Sequence, residues 1–137
     1  MEKFIPYIGL EYKPSARGKE VMDCWGLVVH IYKDLYSIDL PEYDTCSMAK
    51  DGAKGTVKFI FGTDLYKKCQ KISTNEDINE GDIILLTNLG YATHIGVAID
   101  NENMIHCFDR AGSVIESYRS PKWINRIAGI YRHPSFI

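Results

Sequence analysis

The clearest periodic pattern in the chain lies between residues 24 and 36. Its apolar side chains recur at the spacing of one helical face and are Leu27, Val28, Ile31, Tyr32 and Leu35. Asp23 stands directly before them, where a carboxylate can accept from the free backbone N–H groups of a first helical turn. Pro41 cannot continue a helix. We therefore predict an α-helix that begins at residue 24 and ends near Ser37.

From residue 80 onward the pattern changes to short β-rich runs that are separated by turn residues. The runs cover residues 83–86, 94–99, 104–108, 114–117 and 127–132. Glycine, asparagine and aspartate fill the short connections, which favour an antiparallel meander. A helical turn is expected at residues 120–123, between the last two strands. Because a helix comes first and strands follow, the sequence predicts an α+β fold.

The remaining segments carry weaker patterns. Residues 1–20 are rich in proline and glycine and are expected to form short irregular structure with a helical turn near the start. Residues 42–70 suggest one or two short helices; the sequence assigns them no role, and they are a candidate docking surface. No repeat, low-complexity tract or linker interrupts the chain, so we expect one domain over residues 1–137.

Composition narrows the class of protein. The chain has 137 residues, of which 45% are hydrophobic and 25% are charged, as is typical of a soluble globular domain. A net charge of -2 argues against a dedicated nucleic-acid-binding protein, which would show a basic excess. No apolar run is long enough to cross a membrane, and no signal peptide is visible. We therefore expect synthesis in the cytoplasm, no membrane insertion and no nucleic-acid partner.

The cysteines are scattered along the chain without a CxxC pair, which argues against a disulfide scaffold. Cys46, Cys69 and Cys107 are expected to be small buried or half-buried thiols. Cys24 differs, because it falls in the first turn of the predicted helix. The helix dipole and the free N–H groups at that end stabilise a thiolate. Cys24 is therefore a candidate nucleophile.

Two histidines are placed to serve such a thiol. His94 and His106 lie on neighbouring predicted strands, and the alternation of side chains along a strand places both on one face. His94 would accept the thiol proton and pass it to a leaving amine, while His106 would hold the ring of His94 in one orientation. Together with Cys24, they make up the components of a cysteine hydrolase site.

Residues close to Cys24 have candidate supporting roles. The backbone N–H of Cys24 is available to stabilise an oxyanion, and the hydroxyl of Tyr12 in the preceding loop could assist it. Asp23 could cap the helix or hold the positive amine of a substrate. Trp25 could line a substrate cleft beside the thiol, although tryptophan is more often a core or rim residue.

The same residues have plainer explanations. A cysteine at a helix start and a histidine on a strand are more often structural than catalytic. Zinc is a further alternative, since cysteine and histidine both bind it, but the short-spaced ligand pairs of structural zinc sites are missing. We expect neither a metal nor a cofactor.

Five blocks of sequence occur in an order that carries a family resemblance. They are Gly9-Leu10-Glu11-Tyr12, Asp23-Cys24-Trp25-Gly26-Leu27-Val28, Gly81-Asp82-Ile83-Ile84, Thr93-His94-Ile95-Gly96-Val97-Ala98-Ile99 and Met104-Ile105-His106. Taken together, they resemble the NlpC family of cell-wall cysteine peptidases. The resemblance implies a papain-like α+β fold, in which N-terminal helices, with the nucleophile at a helix start, pack on a C-terminal antiparallel sheet. It also implies that Cys24 is the nucleophile, His94 the base and His106 the orienting residue, with Tyr12 beside the oxyanion site.

The resemblance further implies a substrate, because this family cleaves peptide bonds in peptidoglycan stem peptides.

Two departures from the family pattern matter. Trp25 stands where many cell-wall members have serine, and with the ending at residues 123–132 it looks more like members found in bacteriophage tail proteins. Residues 13–18 replace the usual Gly-Gly pair beside the substrate cleft, which bears on substrate preference.

We therefore expect a cysteine endopeptidase that hydrolyses peptidoglycan peptides and is incorporated in the tail of a phage virion, with other tail proteins as partners. Two alternatives stay open. The chain could be a structural tail or baseplate protein that keeps the fold with little activity. It could also be a cysteine amidase or acyltransferase with another substrate, because a fold does not fix a substrate.

Overall fold

The computed structural model describes residues 2–13, 16, 18–41, 67–88, 91–108 and 110–137. The α-helix α1 covers Cys24–Tyr36, where the apolar periodicity predicts it. Asp23 is its N-cap, and Ser37 ends it in the left-handed conformation with φ of 55°. The predicted helix is therefore confirmed at both ends. In the described ranges, no helix combines the length and apolar character that crossing a bilayer requires.

Eight strands lie within the described ranges. They are β1 (Glu11–Tyr12), β2 (Val21–Met22), β3 (Gln70–Ile72), β4 (Ile83–Asn88), β5 (Tyr91–Ala98), β6 (Asn103–Phe108), β7 (Gly112–Ser117) and β8 (Ile127–Arg132). The last six form one antiparallel sheet in the order β3-β8-β4-β5-β6-β7. Each predicted β-rich run is a strand of this sheet. The α+β prediction is confirmed, with one helix packed against the sheet.

The sheet departs from a simple meander at its last strand. Strands β4 to β7 are neighbours in chain order, but β8 crosses back and pairs with β4, where Ile130 lies opposite Ile84. A short 3-10 helix, Ile124–Arg126, precedes the crossover, one residue beyond the predicted helical turn. The pattern does not predict β3, because only Ile72 of its three residues is buried and no alternation can be read. Of residues 42–70, where one or two short helices are expected, residues 42–66 lie outside the described residues.

The N-terminal segment docks on the sheet and leads into α1. It begins with a 3-10 helix, Glu2–Tyr7, and continues into β1, which pairs in parallel with β2. The backbone N–H of Ser113 on β7 donates to the carbonyl of Leu10 at 3.0 Å, and the N–H of Gly9 donates to the carbonyl of Ser113 at 2.8 Å. These bonds attach the loop before the helix to the edge of the sheet.

The core consists of two apolar clusters, one on each face of the sheet. The cluster beneath α1 joins helix residues to inward-facing strand residues: Leu27, Val28, Ile31, Ile83, Leu85, Ile95, Val97 and Ile105. The cluster on the other face contains Ile84, Leu86, Ala98, Met104, Tyr118, Trp123 and Ile130. Each fully buried side chain of this size contributes roughly 1.5–3 kcal/mol relative to an exposed one. The central strands are therefore fixed from both sides, which gives any site built on them a rigid base.

Candidate active site

Cys24 is the first residue of α1, and its side chain is buried, with 1% of the residue exposed. The preceding Asp23 adopts an extended backbone, and its carboxylate accepts from the N–H of Gly26 at 2.7 Å. Because the remaining N–H groups of the first turn point along the helix axis toward its start, the thiol sits where a negative charge is stabilised. This is the setting that lowers the pKa of a cysteine thiol.

Gly26 is required by the close approach of the preceding loop. A Cβ on Gly26 would lie 2.9 Å from the carbonyl oxygen of Ala16, a distance that real Cβ atoms do not show. The same carbonyl accepts from the N–H of Asp23 at 3.0 Å. The loop is therefore held against the start of α1, directly beside Cys24.

Tyr12 reaches the same end of the helix by a different route. The parallel pairing of β1 and β2 places Tyr12 opposite Met22, two residues before Cys24. Tyr12 is half-buried and packs against the cluster that contains Cys24. It also lines a surface cleft, whose other walls are Gly9, Leu10, Glu11, Arg110, Ala111 and Gly112. Tyr12 thus lies between the cluster beneath α1 and an open groove.

The imidazoles of His94 on β5 and His106 on β6 are hydrogen-bonded to each other. His94 Nε2 lies 2.7 Å from His106 Nδ1, and both residues are buried. The expectation that strand alternation puts both rings on one face is met, because the paired residue Gly96 faces the same way. A Cβ on Gly96 would lie 3.1 Å from the Cβ of His106, so glycine leaves the room that the two imidazoles need.

Two aromatic side chains hold the pair of imidazoles in place. Phe108 stacks on His106, with ring centroids 4.7 Å apart and 28° between the planes. Trp123 meets His106 edge to face at 5.0 Å and lies 6.1 Å from the ring of His94. Such contacts fix the ring planes, which a base requires.

Glu116 on β7 extends the pair into a chain of three, and the sequence reasoning missed it. Its Oε2 lies 2.7 Å from His106 Nε2 and accepts from the indole N–H of Trp123 at 3.1 Å. The signal was present in the strand parity. Since His106 lies opposite Val114 in the β6–β7 hairpin, Glu116, two residues further on, points to the same face.

Burial and neighbouring charges keep the imidazoles of His94 and His106 neutral and the carboxylate of Glu116 charged. Burial lowers the pKa of His94, and the neighbouring His106 and Arg126 lower it further. Burial also lowers the pKa of His106, and this outweighs the opposing effect of Glu116. For Glu116, burial alone would raise the pKa, but the bond from His106 and the charge of Lys122 bring the pKa below its usual range. A neutral imidazole is the form that can take a proton from a thiol.

The start of α1 lies against the strand that carries His106. Helix α1 packs on β5 and β6, and the thiol of Cys107, next to His106 in the chain, lies 3.6 Å from the carbonyl oxygen of Met22. The bond between His94 and His106 uses Nε2 of His94, so Nδ1 is the nitrogen left to serve a thiol. Of the sequence-predicted residues, the structure joins His94 to His106 and places Tyr12 near the start of α1, where Cys24 lies.

The sequence leaves Trp25 open between the core and a substrate cleft, and the structure places it in the core. It is fully buried, and its indole N–H donates to the carbonyl of Pro41 at 2.9 Å. Its side chain therefore belongs to the core beneath α1, in line with the usual role of tryptophan. Asp23 is likewise buried and serves as the helix cap. In the part of the chain that the structure describes, no group of three or more His, Cys, Asp or Glu side chains is arranged to hold a metal ion.

Comparison with known proteins places this site in a family context. The model of the NlpC/P60 family matches residues 9–132. The murein DD-endopeptidase MepS/murein LD-carboxypeptidase of Escherichia coli K12 is 21% identical over 128 residues, which cover 92% of this chain and 57% of that protein. The chain thus spans little more than half the length of this curated relative.

Solved structures show the same fold. An NLP/P60 family protein from Staphylococcus aureus superposes with a TM-score of 0.66 at 23% identity, covering 97% of this chain and 39% of the other. NlpC2 from Trichomonas vaginalis superposes with a TM-score of 0.68 at 21% identity, covering 96% and 45%. The family match extends over α1 and over the strands that carry the two histidines, and this chain belongs to the NlpC/P60 family.

Proposed function

We propose that the chain is a cysteine peptidase that hydrolyses peptide bonds in peptidoglycan stem peptides. Cys24 is the nucleophile, His94 the general base and acid, and His106 the residue that orients His94. One observation carries the proposal: the 2.7 Å bond between His94 and His106 on the strands against which the Cys24 helix packs. Membership of the NlpC/P60 family and the similarity to a murein endopeptidase support the substrate class.

The chemistry follows in two halves. His94 takes the thiol proton at Nδ1, and the Cys24 sulfur attacks the carbonyl carbon of the scissile amide. The carbon–nitrogen bond breaks as His94 gives its proton to the departing amine, which leaves a thioester on Cys24. Water then gives a proton to His94 and attacks the thioester; the carbon–sulfur bond breaks, and the acid product and the thiol are released.

The oxyanion that forms in each half needs donors close to the sulfur. The backbone N–H of Cys24 at the start of α1 is one candidate, and the hydroxyl of Tyr12 is the second. The cleft beside Tyr12 is the candidate path by which a peptide reaches the thiol. Glu11 and Arg110, which line it, provide one acidic and one basic group for a substrate that carries both charges.

The test is digestion of purified muropeptides with product analysis by mass spectrometry. We expect the wild-type chain to cleave a stem peptide and Cys24→Ala to lose activity down to the background rate. Cys69→Ala is the matched control, because Cys69 is a half-buried thiol away from the helix start, and it should keep full activity. Absence of cleavage by a folded wild-type chain would favour the scaffold alternative. Transfer to an added amine in place of hydrolysis would favour the acyltransferase alternative.

We also propose that the chain acts within a bacteriophage tail, with other tail proteins as partners. The support is the sequence likeness of Trp25 and residues 123–132 to tail-associated members of the family. The proposal predicts that purified virions contain the chain and that it fractionates with tails after heads and tails are separated. Detection only in the host lysate, with none in washed particles, would contradict it.

A further inference from the structure

Glu116 lies at the outer end of the chain of bonded groups that begins at His94. Its Oε2 is 2.7 Å from His106 Nε2, and His106 Nδ1 is 2.7 Å from His94 Nε2. The side chain of His106 is fully buried, whereas that of Glu116 is 29% exposed. The carboxylate is thus the point at which the buried pair of rings meets the protein surface.

The ionised carboxylate of Glu116 decides which ring nitrogens of His106 and His94 donate and which accept a hydrogen bond. An ionised carboxylate only accepts hydrogen bonds, so His106 must carry its proton on Nε2. A neutral His106 then has a bare Nδ1, which can only accept. The short contact to His94 therefore requires a proton on His94 Nε2, and a neutral His94 is left with a bare Nδ1. A bare Nδ1 is the form that can take the proton of a thiol.

We propose that Glu116 is a positioning residue that selects the tautomers of both histidines and so keeps Nδ1 of His94 free to act as the base. This inference rests on the proposed function for its catalytic consequence, but not for the tautomers themselves. Without the carboxylate, each ring could reverse its bonding role. His94 would then carry its proton on Nδ1 and could not accept one from Cys24.

Two neighbours keep Glu116 in its acceptor role. The indole N–H of Trp123 donates to the same Oε2 that faces His106, at 3.1 Å, and fixes the plane of the carboxylate. The ammonium of Lys122 lies 3.5 Å from Oε1. Both donors favour the ionised form, and neither competes for a ring nitrogen. Glu116 therefore offers His106 Nε2 an acceptor and no donor, as the tautomers described above require.

The charge of Glu116 also acts when the base is protonated. Once His94 accepts the thiol proton, it carries a positive charge in a buried site, and the nearby Arg126 opposes that charge. A carboxylate two hydrogen bonds away offsets part of this cost. Wrong-tautomer variants of an orienting residue can lose up to about 10⁴ in rate. Because Glu116 is one ring further from the thiol, we expect a smaller loss, about 10- to 100-fold, as when the outer partner of a bonded histidine is removed.

The experiment reads the tautomers directly in the full chain labelled with ¹⁵N-histidine. In the wild type at pH 7.5, long-range ¹H–¹⁵N spectra should show protonated Nε2 and bare Nδ1 for both His94 and His106. Glu116→Met, which keeps the side-chain length without an acceptor, should move a measurable fraction of both rings to the opposite tautomer. Glu116→Gln keeps an acceptor oxygen without the charge and should keep the wild-type tautomers. Glu102→Met, which removes an exposed carboxylate at the β5–β6 turn, is the matched control and should change nothing.

The outcomes separate this inference from the proposed function. Unchanged tautomers in a folded Glu116→Met chain would overturn the role of Glu116, even if the enzyme cleaves muropeptides. Reversed tautomers would support it, even if no substrate is cleaved. If Glu116→Met does not fold, Glu116→Ala, which also removes the acceptor, decides in the same spectra. Wild-type tautomers in a folded Glu116→Ala chain would overturn the inference, and a shift of both rings toward the opposite tautomer would support it.

Discussion

The two faces of strands β5 and β6 differ sharply, although they share one backbone. Toward α1 the strands present Ile95, Val97 and Ile105, which join the apolar cluster beneath the helix. Toward the other face they present His94 and His106, bonded to each other and surrounded by aromatic rings. The alternation of a strand thus places one apolar cluster beneath α1 and sets the histidine pair on the face of the other cluster, beside Trp123. We therefore expect stability and activity to respond to different substitutions, only one residue apart in sequence.

The largest effect is expected from a cavity on the packing face. Ile105 is fully buried against α1, and Ile105→Ala should lower the free energy of unfolding by about 2–5 kcal/mol. Because the imidazoles point the other way, kcat of the folded fraction should be unchanged. Urea denaturation and muropeptide hydrolysis measure the two quantities.

Ile115 provides the matched control for that change. It lies opposite Ile105 in the β6–β7 ladder but is only half-buried. The same truncation, Ile115→Ala, should therefore cost less stability than Ile105→Ala. A loss of activity in Ile105→Ala that exceeds its loss of folded protein would show that the two faces are coupled.

The histidine face should make stability depend on pH. The pKa values of His94 and His106 are lowered from 6.5 in the folded chain, so the unfolded chain binds protons that the folded chain does not. Above pH 6.5 the two histidines do not lower the free energy of unfolding. Below pH 6.5 the free energy of unfolding falls, by up to about 1.4 kcal/mol per pH unit for each imidazole that stays neutral in the folded chain. Urea denaturation at pH 7.5, 6.0 and 5.0 measures this slope.

A substitution on the same face sharpens the pH prediction. His94→Gln removes one of the two buried titrating groups and should flatten the slope between pH 7.5 and 5.0. The range stops at pH 5.0 because Asp100 and Glu116, whose pKa values are lowered, lose their contributions at lower pH. Identical slopes in the wild type and His94→Gln would mean that His94 is not held neutral by the fold.

The smallest effect is expected at the start of α1, which Asp23 caps. Asp23→Ala removes the cap bond to Gly26 and should cost about 1 kcal/mol of unfolding free energy. Asp23→Asn keeps a capping oxygen and should restore most of that stability. Thermal unfolding measures both. If Asp23→Asn is stable but has a raised KM, Asp23 also contacts the substrate; an unchanged KM assigns it to the cap alone.

The sequence predicts the helices and strands wherever its apolar residues recur at a regular spacing. The spacing of Leu27, Ile31 and Leu35 is enough for the helix, and short apolar runs are enough for β4 to β8. It does not predict the return of β8 to β4, because pairing between distant strands leaves no local pattern. Nor does it predict β3, which has a single buried residue.

The site shows the same division between local and distant signals. The sequence predicts the place of Cys24 at a helix start and of the two histidines on one face of neighbouring strands, since a helix start and a strand parity are local properties. Glu116 could not be found in that way, because its role depends on a bond across a hairpin to a ring nitrogen. The sequence does not decide whether Trp25 lines a cleft or packs in the core, whereas in the structure its buried indole N–H donates to the carbonyl of Pro41. What a side chain bonds to is a tertiary property, and the sequence alone does not contain it.

The central claim, that Cys24 is an activated nucleophile served by His94, is tested most directly by alkylation at pH 6. Exposure alone would rank half-buried Cys69 ahead of Cys24, which is 1% exposed, while burial raises the pKa of Cys107 to about 12. With limiting iodoacetamide and peptide mass spectrometry, we expect Cys24 to react first and His94→Gln to slow it toward the rate of Cys69. Faster labelling of Cys69 than of Cys24, or no effect of His94→Gln, would contradict the account.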